Sequence, residues 1–311
     1  MALTLSEAAK LSNDMLLQGV VETIIKDSPV LQRMPFIELA GNGLTYNQEK
    51  TLPDVDFYDV GDTWDESTPT FEQITTTLKI MGGDADVDNF LKATRSNLQD
   101  LETAIIELKA KALKDKFEEI FIYGNSATNA KQFDGLKKLL DTASAGDQVI
   151  TMSATGDTLS LDKLDELIDA VKGGKPDILL MSRRTRRKLN ALVRAANSGL
   201  MVTDRDDFGN FIQLWDSIPI GVNDWILDTH VLESSLETAT TGGSCSTIYA
   251  LQFGEGALCG LTSPGHLTVE PVGSLETKDA SRTRVKWYCG QALYSTLALA
   301  RCDGITYEAM E

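Results

Sequence analysis

The chain has 311 residues, 42% of them apolar, with 29 Lys+Arg against 46 Asp+Glu and a formal net charge of −17. At that length the apolar fraction can build a sizeable core without disulfides or metals, which excludes a disordered or fibrous chain. The acidic excess argues against a protein whose main task is to grip nucleic acid, because phosphate neutralisation needs clustered Lys and Arg.

The first thirty residues lack a basic region followed by an apolar block, and no run of about 18 uncharged apolar residues occurs anywhere, so neither a secretory signal nor a membrane span is expected. A soluble protein, cytoplasmic when synthesised, is the expectation. Thr4-Leu5-Ser6-Glu7 fits a capping box, and Leu5, Ala8, Met15, Leu16, Val20 and Ile24 recur at helical spacing, which predicts an amphipathic helix over about 4–26. Pro29 and Pro35 then forbid a continuous helix, so the segment leaves as an arm whose apolar face must be buried elsewhere.

Between Gly41 and Gly83 the pattern turns to β. Leu44, Tyr46, Val55, Phe57 and Val60 alternate, and Phe71 to Ile80 is a β-rich return. This predicts a long two-stranded ribbon with its tip near Val60–Asp65 and arms of about 15–20 residues at about 3.3 Å each. Residues 49–88 hold eleven acids against two lysines, a net of −9 and about half of the excess. The acids follow no calcium-loop order; they read as a soluble edge that resists wrong pairing, or as salt-bridge partners for a neighbouring subunit. Trp64, in the acidic turn with Asp62, Asp65 and Glu66, either folds back on its own ribbon or anchors in a neighbour's pocket. Gly82 and Gly83, at the ribbon's base, are expected to act as a hinge or a plain turn.

Leu98, Leu101, Ile105, Leu108, Ala112, Phe117, Ile120 and Phe121 predict one face of a long spine helix from near Ser96 or Asn97 to Gly124, with Gly124 as an αL cap and with Glu118 among the solvated residues. After it the chain alternates: a helix at Ser160–Gly173, a strand at Asp177–Met181, a helix at Arg183–Ala196, and strands at Ile218–Val222 and Thr247–Phe253. A long strand or kinked pair from Thr283 to Leu299 then returns towards the spine. The fold class is α+β.

Little in the chain suggests catalysis. His230 and His266 lie in loop-like settings without a nucleophile motif. Gly254–Gly260 has one residue too many for a dinucleotide fingerprint, and Gly173-Gly174-Lys175-Pro176 is not a P-loop. The four cysteines, at irregular spacing, read as free thiols, and no cofactor or metal site is expected. The one strong basic cluster, Arg183, Arg184, Arg186, Arg187 and Lys188, is a solvated helix face, a partner for acids such as Asp204, Asp206 and Asp207 of another subunit, or a weak contact for enclosed nucleic acid.

An N-terminal arm, an acidic β-ribbon, a spine helix, a compact α/β region and a late long strand, in this order, resemble the major capsid proteins of tailed bacteriophages with the Hong Kong 97-like fold. Tyr123-Gly124-Asn125 followed by Gln132–Leu136, Pro176–Ser182 leading into an arginine-rich helix, Ile218–Val222, Ile248–Gly254, and Arg284–Tyr288 through Ala300–Ile305 carry the resemblance over nearly the whole chain. It implies an arm at 1–40, an extended loop (E-loop) at 41–82, a P domain with the spine helix at 83–145, an A domain at 146–264, and a returning P-domain strand with the C-terminal segment at 265–311.

The resemblance further implies a non-enzymatic shell protein that self-assembles as hexamers and pentamers. The shell would enclose double-stranded DNA without sequence-specific binding, assembled in the host cytoplasm and found in the virion. Assembly is then expected to depend on a separate scaffolding protein or on none, with a portal and a decoration protein as further candidate partners. With the arm starting at Met1 and reaching the E-loop within about 40 residues, no N-terminal maturation cleavage is expected. Lys50 is the only lysine in the outgoing arm of the ribbon, and nothing in the sequence identifies an asparagine partner for an isopeptide crosslink. An encapsulin-like compartment, with the same fold and a protein cargo, is the alternative, and a soluble α+β enzyme is a more distant one.

Overall fold

The computed structural model describes residues 28–51, 53–90, 101–142, 147–153, 156–196, 199, 201–205, 211–233, 236–241 and 243–306. The helix expected at 4–26 and the start of the spine near Ser96 lie outside them. In chain order the described elements begin with β1 (Phe36–Glu38), β2 (Gly43–Thr51), β3 (Thr70–Thr77), β4 (Lys79–Asp88), helix α1 (Leu101–Tyr123) and helix α2 (Leu136–Thr142). There follow β5 (Val149–Thr151), β6 (Asp157–Thr158), α3 (Leu161–Asp169), β7 (Ile178–Met181), α4 (Arg183–Ala196), β8 (Met201–Arg205), β9 (Phe211–Trp215) and β10 (Ile218–Val222). The chain closes with β11 (His230–Glu233), β12 (Leu236–Thr241), β13 (Ser246–Leu251), β14 (Leu258–Ser274), β15 (Ala280–Leu293) and β16 (Leu299–Thr306).

β2 and β3 form the ribbon, in antiparallel register from Gly43 opposite Thr77 to Thr51 opposite Thr70. The ladder is about half as long as the alternation suggested. Pro53 and Pro69 flank its end and offer no N–H to continue it, and the acids beyond would face like charges across the strands. Its root is held by the chain itself: Tyr46 packs on Tyr294 at 4.7 Å between ring centroids, and Gln48 Nε2 donates to the Tyr294 carbonyl at 3.0 Å.

The return strand does not stop at Gly82. β4 continues the ribbon directly into a four-stranded sheet of order β1-β14-β15-β4, paired with β15 over ten registers from Lys79–Cys289 to Asp88–Ala280. Gly82 and Gly83 are therefore strand residues rather than a hinge at the ribbon's base. At Gly82 a Cβ would come within 2.5 Å of the Val285 carbonyl oxygen, so close strand approach accounts for the glycine.

Helix α1 crosses under this sheet and is about 34 Å long at 1.5 Å per residue. Its buried stripe is Ile106, Ala110, Leu113, Phe117 and Phe121, and Phe117 sits at its centre with Trp287 at 4.9 Å and Phe133 at 5.8 Å. The stripe is rotated from the expected one: Leu108 is 65% exposed and Glu118 only 5%. The segment at Ser28–Met34, with Val30 and Met34 buried, covers a flank of the helix that a sequence count assigns to solvent.

Gly124 ends the helix for a different reason from the expected αL cap, since it is absent from the positive-φ glycines. The backbone folds back on itself there, Gly135 N donating to Gly124 O at 2.8 Å, and a Cβ at Gly124 would lie 2.3 Å from the Phe133 carbonyl. Both glycines make room for that crossing.

The second sheet has the order β5-β16-β13-β7-β10-β9-β8, with β6 also on β16. α3, capped by Ser160 accepting from Lys163 N, packs through Leu164, Leu167 and Ile168, and α4 through Leu189 and Val193, into one core with Leu179, Met181, Trp215 and Ile248. The opposite face, with Ile178, Leu180, Tyr249 and Leu251, merges with the spine core. The segment expected to return as one piece from 265 divides: β14 joins the spine's sheet from Leu258 onward, and β16 enters the second sheet. His230, expected in a loop, is buried in β11. All four cysteines are free and buried, and among the described residues no helix is long and apolar enough to cross a membrane.

Candidate assembly surfaces

The ribbon tip is organised by side chains in place of a backbone ladder. Asp54 N donates to Ser67 Oγ at 2.7 Å, Ser67 Oγ returns a bond to Asp54 O at 3.0 Å, and Asp59 N donates to Asp62 Oδ2 at 2.7 Å. Trp64 stacks on Tyr58 at 4.6 Å, and Asp65 N donates to Tyr58 Oη at 3.2 Å, so the indole does fold back on its own ribbon. The stack does not cover it, for Trp64 is still 77% exposed, and Val55, Phe57 and Val60 are more exposed again. Single exposed apolar residues are ordinary, but four within ten residues, ringed by Asp54, Asp56, Asp59, Asp62, Asp65 and Glu66, make an apolar patch with an acidic rim. Val55, Phe57 and Val60 were legible only as an alternating strand; without the ladder they become surface.

Arg183, Arg186, Arg187, Asn190 and Arg194 line one stripe of α4, spaced as i, i+3/i+4, i+7 and i+11, beside the β8–β9 hairpin. With Val193, Met201, Thr203 and Gln213 they bound an open groove of about 580 Å³. Arg183 makes a two-pronged ion pair with Asp224, its Nη2 2.6 Å from Oδ2, and the guanidinium holds the Asp224 carboxyl below the usual range. Arg186, Arg187 and Arg194 make no ion pair among the described residues. Arg184 turns away from the groove, half-buried. Asp204 lies on the strand face opposite to Met201 and Thr203, while Asp206 and Asp207 fall outside the described residues.

A third surface is the outer face of the four-stranded sheet, where Arg282 reaches Asp86 at 2.6 Å, Arg284 reaches Asp84 at 2.7 Å and Lys286 reaches Glu270 at 2.8 Å. The arginines lower the carboxyls of Asp84 and Asp86. Charges in this ladder are satisfied within the chain.

One buried cluster was not anticipated. Arg301 and Asp303, each 1% exposed, pair at 2.9 Å, and Arg301 also reaches Asp141 of α2 at 2.9 Å. Opposite charges two residues apart on one strand face, inside Leu299–Ile305, were the available signal. The cluster pins the second sheet to α2.

Residues 12–161, just under half of the chain, match the family model described as Major capsid protein GP7. No curated protein matches the sequence. Among solved structures, the holo-SrpI encapsulin complex from Synechococcus elongatus is similar at a TM-score of 0.67 and 18% identity, over 91% of this chain and 90% of that one. A protein of Microbacterium phage Oxtober96 aligns at 0.62 and 14% identity, over 90% and 91%. The capsid of a native GTA particle aligns at 0.60 and 15% identity, over 89% and 90%. The fold that these structures share is the one found here.

Proposed function

We propose that this chain, a shell-forming major capsid protein with the Hong Kong 97-like fold, closes in many copies into the icosahedral head of a tailed double-stranded DNA bacteriophage. In this reading the ribbon and its tip, 41–82, are the E-loop; α1, α2 and the four-stranded sheet form the P domain; and the second sheet with α3 and α4 is the A domain of hexamers and pentamers. The observation that supports it most directly is the tip, whose apolar side chains are left exposed by the described residues and would be covered by a neighbouring copy. Weak contacts of this kind, repeated around a closed lattice, give a stable particle through multivalency while each remains reversible. The net charge of −17 suits a lumen that does not adhere to its DNA.

Scaffolding, portal and decoration proteins belong to this reading as separate partners, with assembly in the host cytoplasm and residence in the virion. The test is electron microscopy and sedimentation of the expressed protein, alone and with its neighbouring gene products. Shells enclosing nuclease-protected DNA in infected cells are the expected result. A discrete monomer or dimer under all conditions refutes the reading, and shells loaded with a protein cargo favour an encapsulin-like compartment instead.

A further inference from the structure

Asn42-Gly43 is the one Asn-Gly pair in the chain, and it stands where the chain enters the ribbon. Gly41, Asn42 and Gly43 are exposed, Asn42 lies in the bend before β2, and a Cβ at Gly41 would meet nothing within 4 Å. Asn42 O accepts from Leu78 N at 2.9 Å, which makes the end rung of the β2–β3 ladder. Bonded and non-bonded pairs alternate along an antiparallel ladder, so the next pair, Gly43 with Thr77, is non-bonded and the Gly43 N–H points away from β3. Among the described residues β2 has no strand on that other side. The side-chain amide of Asn42 is likewise held by no hydrogen bond among the described residues. Asn125, Asn129 and Asn223, by contrast, each accept through Oδ1 from the backbone N–H two residues on.

We propose that Asn42 is a site of spontaneous deamidation, with water as the only co-reactant, that converts the ribbon's root into an isoaspartyl link. The Gly43 nitrogen attacks Asn42 Cγ and closes a succinimide ring; its proton passes to solvent base, and the side-chain amide leaves as ammonia. Water then opens the ring. Attack at the α-carbonyl leaves the main chain running through Cγ, with the former α-carbonyl as a free carboxylate; attack at Cγ gives ordinary aspartate. Glycine favours closure because no side chain crowds its nitrogen and its backbone turns freely. Closure needs Asn42 to leave the extended conformation, so it starts from the state in which the end rung has opened, the least protected point of a ladder. Isoaspartate then removes from the main chain the carbonyl that Leu78 N uses, lengthens the backbone by a methylene and adds a negative charge. The reaction belongs to the subunit and does not depend on the shell reading.

Ageing the purified full chain in heavy-oxygen water at pH 6 and pH 8, followed by peptide mapping, tests this. Both isoaspartate and aspartate should appear at position 42, carrying the heavy isotope, with isoaspartate in excess and faster formation at pH 8, where the attacking nitrogen loses its proton more readily. Asn42→Gln, whose longer side chain closes a ring far more slowly, should lose the product. Gly43→Ala should lose it too, although its Cβ would sit 3.2 Å from the Thr76 carbonyl, so the exposed Asn42→Gln variant is the decisive control. In the aged wild-type chain, hydrogen exchange at Leu78 should quicken while exchange along β15 stays unchanged. A folded chain that gives no product while a free peptide of residues 38–48 does so overturns the proposal, as does aspartate without isoaspartate, or product at Asn125 or Asn129 ahead of Asn42. Exchange at Leu78 that is unaltered in the isoaspartyl chain overturns the loosening of the root.

Discussion

Replacing Arg301 by Met should be among the most destabilising single changes in the chain, and its cost can be worked from the buried cluster. Arg301 Nε lies 2.9 Å from Asp303 Oδ2 and Nη1 lies 2.9 Å from Asp141 Oδ1. The Asp141 side chain is 29% exposed and can rehydrate when the guanidinium is lost. Asp303 cannot, for it is 1% exposed and would be left with the Thr247 hydroxyl, at 3.3 Å, and the Lys137 charge near it. Breaking a buried pair from one side costs about 3–5 kcal/mol, most of it from the charge left behind. For a domain of this size that corresponds to a fall in Tm on the order of 10 °C. Burial already pushes the Asp303 carboxyl up, so without Arg301 the loss should shrink as the pH falls and the carboxyl takes a proton. Removing both charges, with Arg301→Met and Asp303→Leu, should recover most of the loss, because no isolated charge remains. Thermal and urea melts of unassembled subunits, read by circular dichroism, measure all three. A single variant that loses less than about 1 kcal/mol, the range of an exposed pair, would refute the reasoning.

His230 is buried against the edge of Tyr123 at 5.3 Å, with Lys137 and Asp228 the charged groups that face it, and burial pulls its pKa down to about 4. The unfolded chain binds a proton near pH 6.5 and the folded one only near 4, so stability should fall across that window by up to roughly 3 kcal/mol. His230→Gln should remove this pH dependence, so the wild-type-minus-variant difference in Tm should fall from pH 7 to pH 4; a difference that stays constant would show that the imidazole is not buried neutral. Glu118 has the opposite sign: burial raises its pKa, so the ionised carboxylate weakens the fold at high pH and the penalty disappears as it protonates. Glu118→Gln should therefore raise Tm at pH 8 and do little at pH 4, measured in the same melts. Phe57→Ser with Trp64→Ser should leave the subunit melt within about 0.5 kcal/mol, as exposed positions do, yet abolish or strongly delay shell formation in light scattering. A large drop in subunit stability would place these side chains in the chain's own core.

The bounds of α4 and β10 were legible because amphipathic period and flanking residues agree with burial there: Arg183–Ala196 and Ile218–Val222 fold as read. What was not legible depends on contacts distant in sequence. The face of α1 could not be phased from its own residues, since Leu108 and Ile106 are equally apolar, and the packing of β4, β15, α2 and the segment at 28–34 decides which is covered. Gly82, Gly83 and Gly124 resemble turn and cap glycines in sequence, yet two of them, Gly82 and Gly124, are set by backbone crossings with Val285 and Phe133. The four-stranded sheet escaped the reading because its neighbours β4 and β15 lie some 200 residues apart in the chain.

The same non-local pairing changes what the acidic excess means. Counted along the sequence, residues 49–88 offer a net of −9 to a partner. In the fold, Asp84 and Asp86 are committed to Arg284 and Arg282 on the adjacent strand, so they cannot be the groups that hold a neighbour. The uncommitted charge is concentrated in the six acids of the tip, beyond Pro53, where the ladder has stopped. A charge set on a segment with few contacts of its own contributes little to subunit stability and can be spent on association. Subunit stability and shell stability should therefore respond to different residues: Arg301, Phe117 and His230 for the first, and the tip for the second.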